Sequence, residues 1–131
     1  MARDLDKSKS AGYITKAGNS LRISKIALKE GAHDAAVMNA VHGAINSLDA
    51  LTTYFVGKRA SGVHTEVLSI IKGILTQREY EETKKQFNTL LGMKNRSEYQ
   101  PDIMSYKDAE SAIKLAERIF EKIKAKLQSE N

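Results

Sequence analysis

Residues 32–56 read AHDAAVMNAVHGAINSLDALTTYFV, and the spacing of their apolar positions decides the fold class. Val37, Val41, Ala44, Leu48, Leu51 and Phe55 follow one another in alternating steps of four and three. That is the period of a helix with one continuous apolar seam. A second stripe runs beside it: Ala36, Ala40, Gly43, Ser47 and Ala50. Every side chain in that stripe is small, so another backbone can approach closely. A third face carries Asn39, His42, Asn46, Asp49 and Thr53. A helix with two packing stripes belongs at the centre of a bundle with at least two neighbours. The small stripe is a candidate interface, covered either by a second subunit or by the first or last helix of the same chain.

Working outward, residues 7–30 predict a first helix with Ile14, Ala17, Leu21 and Leu28 on one face and Ser24 in the remaining position. Gly12 and Gly18 weaken it, so it depends on tertiary packing, and Gly31 suits the residue just past its end. A loop, Gly57 to Gly62, holds Lys58 and Arg59. A short helix over 63–75 turns Val67, Leu68, Ile71, Ile74 and Leu75 inward, and a helix over 78–96 or slightly beyond does the same with Tyr80, Phe87, Leu90 and Leu91. Pro101, the one proline of the chain, forces an exit from helix there. The last helix starts near Tyr106 with Ser105 as N-cap and Asp108 and Glu110 in its first turn. Its seam is Ala109, Ile113, Ala116, Phe120, Ile123 and Leu127. No segment alternates like a strand. The expected architecture is all-α: an antiparallel up-and-down bundle of four long helices and one short one.

The 131 residues fit one domain on a scale of roughly 100–200 residues per domain. An apolar share of 41% with 28% charged residues is that of a folded globular chain. No apolar run approaches the roughly 18–20 residues that span a bilayer, and the N-terminal MARDLDKSKS has no apolar stretch of a secretory signal. With no cysteine there is no disulfide, thiol nucleophile or thiolate zinc site. A cytoplasmic protein is expected. The net charge of +5 suits solubility, and equally a polyanion such as RNA or a nucleotide phosphate.

Three histidines are present, His33, His42 and His64. None has the i, i+4 partner that puts two ligands on one helix face, so neither metal nor cofactor is expected. His42 and Asp49 lie two turns apart on one face, which favours solvation over catalysis. Phosphate-cradling glycine motifs and a nucleophile elbow are absent. The most unusual stretch is Lys94-Asn95-Arg96-Ser97-Glu98-Tyr99. Arginine binds phosphate bidentately, asparagine anchors polar edges and tyrosine stacks on a base. A basic helix end favoured by the dipole, with Tyr99 as a packing residue, explains the same letters.

That stretch, followed by Pro101, Ser105 and Asp108 to Glu110, resembles the C-terminal half of HEPN (higher eukaryotes and prokaryotes nucleotide-binding) domains. So does the run from Ala112 to Arg118, with Ala116, Glu117 and Arg118 at its end. The alanine-rich second helix and His64 at the start of the third fit the N-terminal half, so the resemblance covers nearly the whole chain. It implies a helical bundle that commonly homodimerises and a role in RNA or nucleotide binding. In many members it implies a metal-independent ribonuclease of toxin type, paired with a nucleotidyltransferase-type antitoxin. Arg96 takes the place of the arginine that stabilises phosphate charge in those ribonucleases. The histidine that should follow it by four to six residues is missing, since positions 101–103 are Pro101, Asp102 and Ile103. Were the chain a ribonuclease, Arg96 would act with Tyr99 or His64. Arg59 to His64 has the required spacing, but it spans the loop between the second and third helices.

Three readings follow: an RNA- or nucleotide-binding module using Lys94, Asn95, Arg96 and Tyr99; a metal-independent endoribonuclease; and an interaction module, without nucleic-acid binding, docking through the small stripe.

Overall fold

A computed structural model gives five helices: α1 (Ala2–Lys29), α2 (His33–Val56), α3 (His64–Lys72), α4 (Gln77–Tyr99) and α5 (Tyr106–Ser129). The structure describes residues 2–57, 59, 64–101 and 103–130, without the side chains of residues 2–6 and 64. No described residue is in a strand, so the all-helical bundle is as expected. α1 begins at Ala2, earlier than its apolar period indicated.

α2 is the hub and touches all four other helices; among the described residues α1 packs on α2 and α5, and α3 on α2 and α4. Its apolar seam is fully buried at Val37, Val41, Ala44, Leu48 and Leu51. The small stripe is buried too, but against α1 of the same chain. A methyl built on Gly43 would stand 3.0 Å from Leu21 Cγ and 3.5 Å from the Ala17 carbonyl oxygen. Ser24 Oγ donates to the Ala36 carbonyl at 2.6 Å, and Ser10 Oγ donates to the Ala50 carbonyl at 2.9 Å. Ser10, Ala17 and Ser24 therefore face Ala50, Gly43 and Ala36, at heptad spacing on both helices and in antiparallel register. Of the neighbours that the sequence leaves open for Ala36, Ala40, Gly43, Ser47 and Ala50, α1 of the same chain occupies that surface, in place of a second subunit or α5.

The α1–α2 turn closes on Gly31 at φ 80°. Gly31 N–H donates to the Leu28 carbonyl and Ala32 N–H to the Ala27 carbonyl, at 3.1 and 2.8 Å. This is the paired bonding of a Schellman end, which requires a left-handed residue that only glycine adopts without strain. α3 is shorter than its apolar run, since the chain tightens into i→i−3 bonds at Gly73 and Ile74. Residue 63, the expected start of that helix, lies outside the described residues. α4 and α5 both open with capping boxes, Thr76 with Glu79 and Ser105 with Asp108, each satisfying otherwise orphaned backbone N–H groups.

α4 runs antiparallel to α5. Lys126 pairs with Glu79 at 3.3 Å and Lys122 with Glu82 at 3.0 Å, while Lys122 also donates to Thr83 Oγ1. The face that α5 buries is wider than its seam: Ala112 and Ile119 are enclosed, and Phe120 is half-buried with its ring against Gly18 of α1. The helix directions give the bundle two ends. One gathers the end of α1, the starts of α2 and α5, and the end of α4; the other gathers the opposite termini.

Candidate nucleic-acid interface

The first of these ends carries the singled-out stretch. α4 keeps its helical bonding through Tyr99, and Gln100 turns extended with its N–H on the Arg96 carbonyl, just before Pro101. The last turn therefore presents Asn95 and Arg96 outward, with Tyr99 76% exposed. Lys94 lies half-buried and pairs with Glu98 at 3.0 Å, one helical turn on.

Met104 is the pivot. It is 3% exposed and bonded from three sides. Its N–H donates to Asp34 Oδ1 at 3.2 Å, and its carbonyl accepts from His33 Nδ1 at 3.1 Å. Its sulfur lies 3.9 Å from Arg96 Nη2. Asp34 Oδ1 also accepts from Ser97 Oγ at 3.2 Å. One carboxylate at the start of α2, where the helix dipole favours negative charge, thus joins the end of α4 to the lead-in to α5. α2 has no side-chain cap of its own at Ala32, which leaves Asp34 free to serve its neighbours.

Arg96 is 52% exposed along its side chain, and its Nη2 pairs with Asp108 Oδ2 at 3.0 Å. The Ser105 hydroxyl and the Ser105 backbone N–H, with Arg96 beyond them, hold the Asp108 carboxyl below its ordinary value. The pair orients the guanidinium through one nitrogen. Arginine has five N–H donors in a planar fork, so donors remain for an incoming phosphate. Replacing Asp108 by a phosphate at Nη2 would exchange one anion for another without moving the arginine far.

His33 approaches the same pivot from α2. A carbonyl oxygen can only accept, so Nδ1 carries the hydrogen and a neutral ring keeps its lone pair on Nε2. The ring meets Tyr106 edge-on, centroids 5.9 Å apart and planes at 81°. Tyr106 is 53% exposed and Ile103 81% exposed, so two open aromatic rings, Tyr99 and Tyr106, belong to this end. Single-stranded nucleic acid stacks on such rings irrespective of base.

The structure thus brings Lys94, Asn95, Arg96 and Tyr99 together, as expected of one helix end. It adds His33, Asp34, Met104 and Asp108, which sequence reasoning did not place there. The side chain of His64 lies outside the described residues. Arg59, the other half of the Arg59–His64 spacing, is engaged elsewhere: its Nε donates to the buried Asp49 Oδ2 at 2.9 Å and its guanidinium lies 5.5 Å from the Tyr13 ring centroid. Asp49 in turn raises the Arg59 pKa. His42 is exposed on α2. Among the described residues no group of three or more His, Cys, Asp or Glu could hold a metal ion, and no helix is long and apolar enough to cross a membrane.

Comparison with known protein families matches the model of the HEPN domain to residues 11–126. Comparison with curated proteins gives no match.

Proposed function

Because the chain belongs to the HEPN domain family, which is nucleotide- and RNA-related, we propose that it binds RNA or nucleotide phosphate through the end of α4, with Arg96 as anchor. One observation carries the reading. Arg96 is an exposed guanidinium already oriented by Asp108, beside an open ring at Tyr99. Lys94 and Asn95 complete the contact set. In this reading the protein is a cytoplasmic homodimer that pairs with a nucleotidyltransferase-type protein.

The test is binding of labelled single-stranded RNA in EDTA, at several salt concentrations, with wild type and Arg96→Ala. The wild type is expected to lose affinity steadily as salt rises. Arg96→Ala is expected to bind about tenfold more weakly, as for the loss of one charge-assisted contact, with an unchanged helical circular dichroism spectrum. Absence of salt-sensitive binding to RNA and to nucleotides would sink the proposal.

A second reading, cleavage in the manner of a toxin, is favoured by His33. Its Nε2 would accept the proton of an RNA 2′-hydroxyl as that oxygen attacks phosphorus and the 5′-oxygen leaves. Arg96 would neutralise the charge gathering on the phosphoryl oxygens. Tyr99, whose exposed phenolic O–H is a donor, would serve the leaving oxygen rather than the base role. If this reading holds, His33→Gln keeps RNA binding and loses EDTA-resistant cleavage, whereas Arg96→Ala loses both. Equal cleavage by all three proteins would indicate a contaminant.

A further inference from the structure

The opposite end of the bundle holds a cavity of about 330 Å³ between α1, the end of α2 and the end of α5. That is the lower end of the range of ligand pockets, roughly 300–1,000 Å³. Its floor is apolar: Tyr54 is 6% exposed, Leu127 9% exposed, and Ile14 half-buried. Its rim is polar and basic, with Lys7 from α1 and Lys124 from α5. Thr15 and Gln128 add polar atoms at the rim, and Ser10 adds one below it. No carboxylate is among its described lining residues.

The lysines of α5 sharpen the point. Lys122 and Lys126 turn toward α4 and are ion-paired with Glu82 and Glu79. Lys124, between them in sequence, turns the other way, toward this cavity, and has no ion pair among the described residues; its ammonium rests 5.6 Å from the Phe120 ring centroid. Lys7 likewise has no ion pair among the described residues. Two lysines without an ion pair among the described residues, on the rim of an apolar floor, select a ligand that is anionic at one end and apolar at the other.

We propose that this cavity binds a small organic anion, its phosphate or carboxylate head between Lys7 and Lys124 and a ring-sized apolar body on Ile14, Tyr54 and Leu127. The site is separate from the Arg96 end and does not rest on it.

The experiment is an amide NMR titration of the full chain with four probes: phenyl phosphate, phenylacetate, inorganic phosphate and benzylamine. Phenyl phosphate or phenylacetate should saturate shifts at Ala11, Thr15, Leu127 and Gln128, while inorganic phosphate and benzylamine bind more weakly. The tighter of the two anions identifies the head group. Lys124→Glu should weaken the preferred anion about tenfold through loss and reversal of a charge-assisted contact. Ala11→Trp, which fills the cavity from an exposed helix position, should abolish the shifts. Arg96→Ala should bind as the wild type does. No saturable shifts at these residues, equal binding of benzylamine, or unchanged affinity in both Lys124→Glu and Ala11→Trp would overturn the proposal.

Discussion

Asp34 Oδ1 accepts two hydrogen bonds from segments more than sixty residues away, Ser97 Oγ and the Met104 backbone N–H. Asp34→Ala leaves that buried N–H without a partner, a loss of about 1–3 kcal/mol, and releases the lead-in to α5. Urea unfolding should show the loss, and Asp34→Asn, which keeps an acceptor, should recover part of it. Asp108 makes a prediction in pH. Its folded-state pKa is depressed by Ser105 and Arg96 from an ordinary 3.8, so its contribution to stability is present above that value and is lost as pH falls through the lower, folded one. Asp108→Asn should therefore show a shallower fall in urea midpoint between pH 5 and pH 2 than wild type; an identical acid limb would refute this. Arg96 and Tyr99 were legible in the sequence because their interest is local, a cation and a ring within one helical turn. His33 and Asp34 were not, because what makes them part of the same end is contact across the fold, which neither period nor spacing announces.

The small stripe of α2 shows the same limit at the scale of an element. Its composition says that a backbone comes close, but an amphipathic period does not say whose. The answering signal lies in α1, where Ser10, Ala17 and Ser24 recur at the heptad spacing of Ala36, Gly43 and Ala50. Gly43→Leu should cost about 3 kcal/mol by overpacking against Leu21 and the α1 backbone, and the measurement is again a urea midpoint. A cost near zero would mean that α1 yields. The end of a helix is easier to read than its partner. Ser105 was legible as a cap, and Thr76 with Glu79 has the same sequence signature. Thr76→Ala and Ser105→Ala should each cost about 1 kcal/mol, yet only Ser105→Ala should also loosen Asp108 from Arg96 and change RNA affinity. In α5, Ile119 is fully buried while Phe120 is half-exposed, because α5 packs on α1, α2 and α4 at once and one seam is too narrow to describe it.

Across the whole molecule the up-and-down order was plain from four long apolar seams, short loops and one proline, whereas the chemical contrast between the two ends was not. At one end Lys94 is matched to Glu98 and Arg96 to Asp108; at the other, Lys122 and Lys126 are matched to Glu82 and Glu79 on the α4 side, while Lys7 and Lys124 line an apolar cavity. That difference comes from helix direction, which sets which termini meet. The α1–α2 pairing has a kinetic consequence. Its contacts join neighbours in sequence across a two-bond glycine turn, so little chain entropy is lost in making them. The pair is therefore expected to assemble before α4 and α5 close over it. In stopped-flow refolding, Leu21→Ala, which empties the α1–α2 contact at a buried position, should slow folding more than it speeds unfolding, while Ile119→Val in α5 should do the reverse. The opposite pattern would place the first-formed contacts at α4 and α5. Serine hydroxyls that lock one register of two helices would then act as the gauge by which the rest of the chain finds its alignment.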